Sequence, residues 1–149
     1  METMTQEDKA LLLKDLSARL PYGVKAYVKN WSNFKTYEDV YEVKSTFPSL
    51  NEVHVQSKTG SLDVLIGYYD YEFKPYLFPM SSMTEEQKEE YHYIVNYISP
   101  DDTENWAEGE YIYVNQIEQL LHFYHTNHLD YRGLIAKDLA LDATGLNIY

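Results

Sequence analysis

The stretch Val53-His54-Val55-Gln56-Ser57-Lys58-Thr59-Gly60-Ser61-Leu62-Asp63-Val64-Leu65-Ile66, continued by Gly67 and Tyr69-Asp70-Tyr71-Glu72-Phe73-Lys74, decides the fold class. Val53 and Val55 alternate with Glu52, His54 and Gln56, the period of a half-buried strand. Lys58-Thr59-Gly60-Ser61 is turn chemistry, so Val53–Ser57 and Leu62–Ile66 are expected to form a hairpin. Gly67 marks a bend or bulge. Tyr69, Tyr71 and Phe73 alternate with Asp70, Glu72 and Lys74, the cleanest two-residue period in the chain.

Upstream the same period recurs. Val24, Ala26 and Val28 alternate with Lys25, Tyr27 and Lys29, and Tyr37, Tyr41 and Val43 with Glu38, Glu42 and Lys44. Strands therefore crowd into residues 24–74. Before them, Thr5 is a good N-cap and Leu12, Leu13, Leu16 and Leu20 recur at helical spacing, predicting a helix over 5–20 that stops at Leu20-Pro21-Tyr22-Gly23. After them, residues 75–80, apolar and bracketed by prolines, read as an extended packed connector. Ser82 with Glu85, or Thr84 with Gln87, makes a capping box for a helix over 82–98, with Tyr91, Ile94, Val95 and Ile98 inward. Residues 101–110 read as an acidic loop. A third helix is expected over 114–127, with Ile117, Leu120, Leu121 and Tyr124 inward. Asp130 is expected to cap a last helix over 131–141. Segregated strands and helices predict an α+β fold, with an N-terminal helix, a curved antiparallel sheet or small barrel of about five strands, and a helical C-terminal half. At 149 residues the chain has the size of one domain, 1–149.

Composition narrows the function classes. There is no cysteine, which removes disulfides, thiolate metal sites and thiol nucleophiles. The polar, acidic start is not a signal peptide and no apolar run is long enough to cross a bilayer, so the expected location is cytoplasmic. The net charge of −12 is uneven: residues 75–130 carry eleven carboxylates against Lys88 alone. That field repels nucleic acid and anionic membranes and attracts a basic partner. Sixteen tyrosines suit half-buried strand positions and binding surfaces alike.

Three blocks carry a resemblance: Lys14-Asp15-Leu16-Ser17-Ala18-Arg19-Leu20-Pro21-Tyr22-Gly23-Val24-Lys25, the run from Lys74-Pro75-Tyr76-Leu77-Phe78-Pro79-Met80 to Ser81-Ser82-Met83-Thr84-Glu85-Glu86, and His128-Leu129-Asp130-Tyr131-Arg132-Gly133-Leu134-Ile135-Ala136-Lys137. In these the chain resembles a family of small proteins from gut anaerobes, many of them in phages or mobile elements. The resemblance implies an accessory role in that setting. It implies no activity and no site residue.

Three constellations are candidates for chemistry. Glu118, His122 and His125 share a helix face, with His128 following, and imidazoles with a carboxylate suit zinc or another divalent ion. The ordinary alternative is solvated histidines at a helix end, which the dipole favours. Arg132, isolated in an acidic half, has a fork that fits a carboxylate or phosphate; the ordinary alternative pairs it with a nearby acid while Asp130 caps. Glu85, Glu86, Glu89 and Glu90 are adjacent carboxylates that suit acid–base or metal chemistry and, with Asp101 and Asp102, an acidic binding surface; the ordinary alternative is a solvated helix face. Lys25, Lys29, Lys35 and Lys44 with Tyr27 and Trp31 are the one feature suited to nucleic acid, and the overall charge opposes it. No Gly-rich phosphate loop, His-Glu-x-x-His or Gly-x-Ser-x-Gly occurs. The expectation is a non-enzymatic protein that binds another, basic protein, without a cofactor. The alternatives are a small metal-dependent enzyme on the histidines and a nucleic-acid module on the lysine-bearing strands.

Overall fold

The structure, a computed structural model, describes residues 4–30, 37–58, 60–68, 71–96 and 106–149. Helix α1 spans Gln6–Arg19, and the Thr5 hydroxyl accepts the Asp8 N–H at 3.1 Å, the expected cap. A 3-10 turn at Leu20–Tyr22 and Gly23, at φ 77°, close it. Strands β1 (Lys25–Asn30), β2 (Tyr37–Phe47), β3 (Glu52–Ser57) and β4 (Gly60–Leu65) form an antiparallel meander, and β5 (Tyr71–Pro79) pairs antiparallel with the far side of β1. The predicted hairpin is β3–β4, paired Val53 to Val64 and Val55 to Leu62.

In a flat sheet β4 and β5 would stand four strand spacings apart, about 19 Å. Instead the sheet curls, bringing β4 and β5 into contact, helped by the register shift in β2 between Val43 and Ser45. Alternate residues Ala26, Val28, Tyr41, Val43, Val53, Val55, Val64 and Phe73 fill the concave face, and Leu12, Leu13 and Leu16 of α1 cap it. Full burial of each valine, leucine or phenylalanine among them contributes about 1.5–3 kcal/mol.

Several expectations are corrected. The α+β class holds, but among the described residues the sheet has seven strands, is mixed, and does not close into a barrel. Residues 75–79 are not a connector; they continue β5. Pro75 has no N–H and faces Ala26 at the end of the β1 ladder. Beyond it the strand changes partners, pairing parallel with β7 (Leu141–Asp142) at Tyr76 and Leu77, and with β6 (Leu129–Asp130) at Phe78 and Pro79. Strand alternation then sends Leu77 into the main core and Phe78 into a second cluster around Ile94, Phe123 and Leu129.

Helix α2 spans Glu85–Asn96 and α3 spans Trp106–Thr126, so α3 takes in residues 106–113, part of which was expected to be loop. Of the two candidate capping boxes, Thr84–Gln87 forms: the Gln87 side chain accepts the Thr84 N–H at 2.9 Å and the Thr84 hydroxyl accepts the Gln87 N–H at 3.2 Å. Tyr91 and Ile94 face inward as expected, whereas Val95 is 39% exposed; Ile98 lies outside the described residues. On α3 the inward side chains are Leu120, Phe123 and Tyr124, while Ile117 is 56% and Leu121 36% exposed. The expected helix over 131–141 does not form. Asp130 does cap, accepting the Leu134 and Ile135 N–H groups at 2.8 and 2.9 Å. Gly133 at φ 75° and Asp138 at φ 61° then break the helical path, and the Leu139 N–H returns to the Leu134 carbonyl at 2.9 Å. That closes a turn which buries Leu134, Leu139 and Ala140. Among the described residues no helix is long and apolar enough to cross a membrane.

Candidate functional site

Residues 14–25 and 128–137 meet at the end of α1. Leu12, Asp15, Leu16 and Arg19 fall on one helical stripe, so two charged residues are carried into the core with the leucines. Both are fully buried. Arg19 Nε donates to Asp15 Oδ2 at 2.7 Å, and its Nη2 donates to Asp15 Oδ1 at 3.3 Å and to the Leu129 carbonyl at 2.6 Å. Arg132 joins from the 131–140 turn, with Nε donating to Asp15 Oδ1 at 3.2 Å. Both guanidinium groups lie against the Tyr131 ring, at 5.4 Å and 5.1 Å. Arg132 thus pairs with an acid, as its ordinary reading held, but with one 117 residues away in sequence.

Each histidine of the 122–128 group has its own tyrosine. His122 Nδ1 and the Tyr22 hydroxyl are hydrogen-bonded at 3.0 Å. His125 Nε2 and the Tyr131 hydroxyl are bonded at 2.9 Å. The His128 ring stacks on Tyr149 at 3.6 Å, with 12° between planes. His125 is 6% exposed, and burial, followed by the Arg19 guanidinium, lowers its pKa to about 4 against the opposing pull of Asp15. Burial, then Arg19 and Lys25, does the same to His128, also to about 4. Glu118 is exposed on α3. The structure therefore does not bring Glu118, His122, His125 and His128 together as one ligand set. Among the described residues no three His, Asp or Glu side chains converge to hold a metal ion.

The acidic candidates lie on α2. Glu85, Glu86, Glu89 and Glu90 are all exposed, and Lys88 pairs with Glu85 at 3.3 Å. Helical spacing aligns Glu85 with Glu89, and Glu86 with Glu90 and Tyr93, the last being 64% exposed. Gln116 of α3 donates to the Ile94 and Val95 carbonyls at 2.6 and 3.0 Å, tying the two helices together. Asp101 and Asp102 lie outside the described residues.

Comparison with known proteins adds nothing to this geometry. No family model, curated protein or solved structure matches this chain.

Of the lysine-bearing strand residues, Lys25, Lys29 and Lys44 lie on described strands, while Lys35 and Trp31 fall outside the described residues. Lys44 pairs with Glu42 at 3.1 Å and Lys25 donates to the Ile148 carbonyl at 2.8 Å. Sequence reasoning missed Asp15, Arg19, Tyr22 and Tyr149. For the first two a signal existed: an oppositely charged pair at i and i+4 inside the apolar stripe of α1.

Proposed function

We propose that this protein is a non-enzymatic binding module whose α2–α3 hairpin takes a basic protein surface. The carrying observation is the α2 face, where Glu85, Glu86, Glu89 and Glu90 are exposed beside an exposed Tyr93. Charge alone would serve solubility. What favours recognition is the exposed Tyr93 set among these glutamates, at i+3 from Glu90 and i+7 from Glu86. A tyrosine rimmed by charge matches the composition of protein interfaces. The resemblance to proteins of phages and mobile elements supports an accessory role of this kind. The reading rests on surface residues, so it separates cleanly from folding.

The test replaces all four glutamates by glutamine. Loss of first-turn acids costs a few tenths of a kcal/mol each, and relief of the i, i+4 repulsions returns a similar amount. Stability is therefore expected to stay within about 1 kcal/mol of the parent. Binding to a basic partner is expected to weaken at least about tenfold, in slower association above all. Unchanged binding would overturn the proposal.

A further inference from the structure

Segment 144–149 sits outside the sheet and carries one side chain back into it. Its last anchor in the fold is the Ala143 N–H, donating to the Leu77 carbonyl at 2.8 Å. Residues 144–147 are then exposed, Leu146 at 52%. Tyr149 returns: its hydroxyl accepts the Lys25 backbone N–H at 2.9 Å and donates to the Tyr76 carbonyl at 2.6 Å. Its ring stacks on His128 and lies 6.0 Å from Phe78. The Lys25 ammonium holds the preceding carbonyl, that of Ile148, at 2.8 Å and sits 5.9 Å from the Tyr149 ring.

Each wall of this socket belongs to an element fixed by other bonds. Lys25 opens β1, Tyr76 and Phe78 lie on β5, and His128 stands in the turn between α3 and β6, with its own carbonyl accepting the Phe78 N–H at 2.8 Å. His128 stands at φ 54°, a conformation that glycine takes without strain. A histidine there supplies the stacking plane. Tyr149 is 39% exposed as a residue, yet burial raises its phenol pKa to about 12. The hydroxyl faces the backbone of Lys25 and Tyr76.

We propose that this is a phenol-recognition socket, filled in cis by Tyr149, that takes a tyrosine side chain or another phenol in trans when segment 144–149 opens. The recognised chemistry is a flat ring on an imidazole, a hydroxyl that both accepts and donates at fixed backbone positions, and a neighbouring carbonyl for an ammonium. The socket is separate from the acidic helix face.

The test uses the full chain with Tyr149→Ala. Its probes are p-cresol, the capped peptide acetyl-Leu-Asn-Ile-Tyr-amide and the same peptide ending in Phe, with the Lys25 amide and the His128 ring followed by NMR. The tyrosine peptide is expected to shift both signals in the variant and to bind the parent chain at least about tenfold more weakly, because the tethered Tyr149 competes at millimolar effective concentration. The Phe peptide, which loses both hydroxyl hydrogen bonds, should bind at least about fivefold more weakly. Peptide binding at least about tenfold tighter than p-cresol assigns the socket to tyrosine-bearing chains, since the Lys25–carbonyl contact then counts; equal binding assigns it to small phenols. No shift in a folded variant, equal affinity for variant and parent, or equal affinity for the Phe peptide would overturn the proposal. Should the variant not fold, hydrogen exchange in the parent chain decides. The Lys25 amide is expected to exchange at least about a hundredfold faster than those of Val28 and Val55, by local opening. Exchange at their rate would overturn it.

Discussion

Asp15 and Arg19, one turn apart on α1, form a fully buried ion pair at 2.7 Å to which Arg132 adds a second guanidinium at 3.2 Å. One carboxylate therefore answers two cations across the junction of α1 and the 131–140 turn. Removing it strands the buried Arg19. Asp15→Ala is expected to cost about 3–5 kcal/mol. Arg19→Met should cost less, because Asp15 keeps Arg132. The double variant Asp15→Leu/Arg19→Met should be more stable than Asp15→Ala alone. Urea unfolding at pH 7 checks all three; a loss below about 1 kcal/mol for Asp15→Ala would contradict the geometry.

His125 and His128 are held neutral, each with a pKa lowered to about 4. Unfolded, each titrates near 6.5. Between these values the unfolded chain binds the extra protons, so stability is full above about pH 6.5 and falls as the pH drops toward 4. Unfolding in this window should take up about two protons from this pair. His125→Gln, which keeps a polar partner for Tyr131 but does not titrate, should reduce the uptake by about one. Stability independent of pH between 7 and 4.5 would contradict the assignment.

The alkaline side mirrors this. Burial and the neighbouring Tyr91 raise Tyr124 to about 12, and burial raises Tyr149 to about 12. An unfolded tyrosine ionises near 10. The unfolded chain therefore loses these protons first, and stability declines from about pH 10 upward. Ultraviolet titration should show a late step, and Tyr124→Phe should remove part of it.

Asp130, 7% exposed, accepts two N–H groups from the turn that replaces the expected helix. Asp130→Ala leaves both donors without a partner, at a cost of about 1–3 kcal/mol. Asp130→Asn retains one acceptor oxygen and should fall between. Faster exchange of the Leu134 and Ile135 amides is the local readout.

Much of this architecture is legible in the chain. The Thr5 cap, the β3–β4 hairpin and the alternation of Ala26 and Val28 with lysines follow from local rules, and each forms. What escapes is set by distant partners. Residues 75–79 hold as strand because Leu129 and Leu141 pair beside them. Ile117 and Leu121 are apolar yet exposed, while Leu120, Phe123 and Tyr124 take the packed side of α3, a choice that the helical period alone does not make. The glutamates of α2 could be read as a charged face, since exposure follows from helical spacing. The pairings of Tyr22 with His122 and His128 with Tyr149 join residues 100 and 21 apart, and no local pattern encodes them.

The most direct test of the binding reading compares the parent chain with Glu85→Gln/Glu86→Gln/Glu89→Gln/Glu90→Gln as bait in source-cell lysate at low and at high salt. The account predicts a stoichiometric basic protein on the parent, lost on the glutamine variant and lost near 1 M salt, where the screening length falls to about 3 Å. The same proteins on both baits at both salts would contradict it.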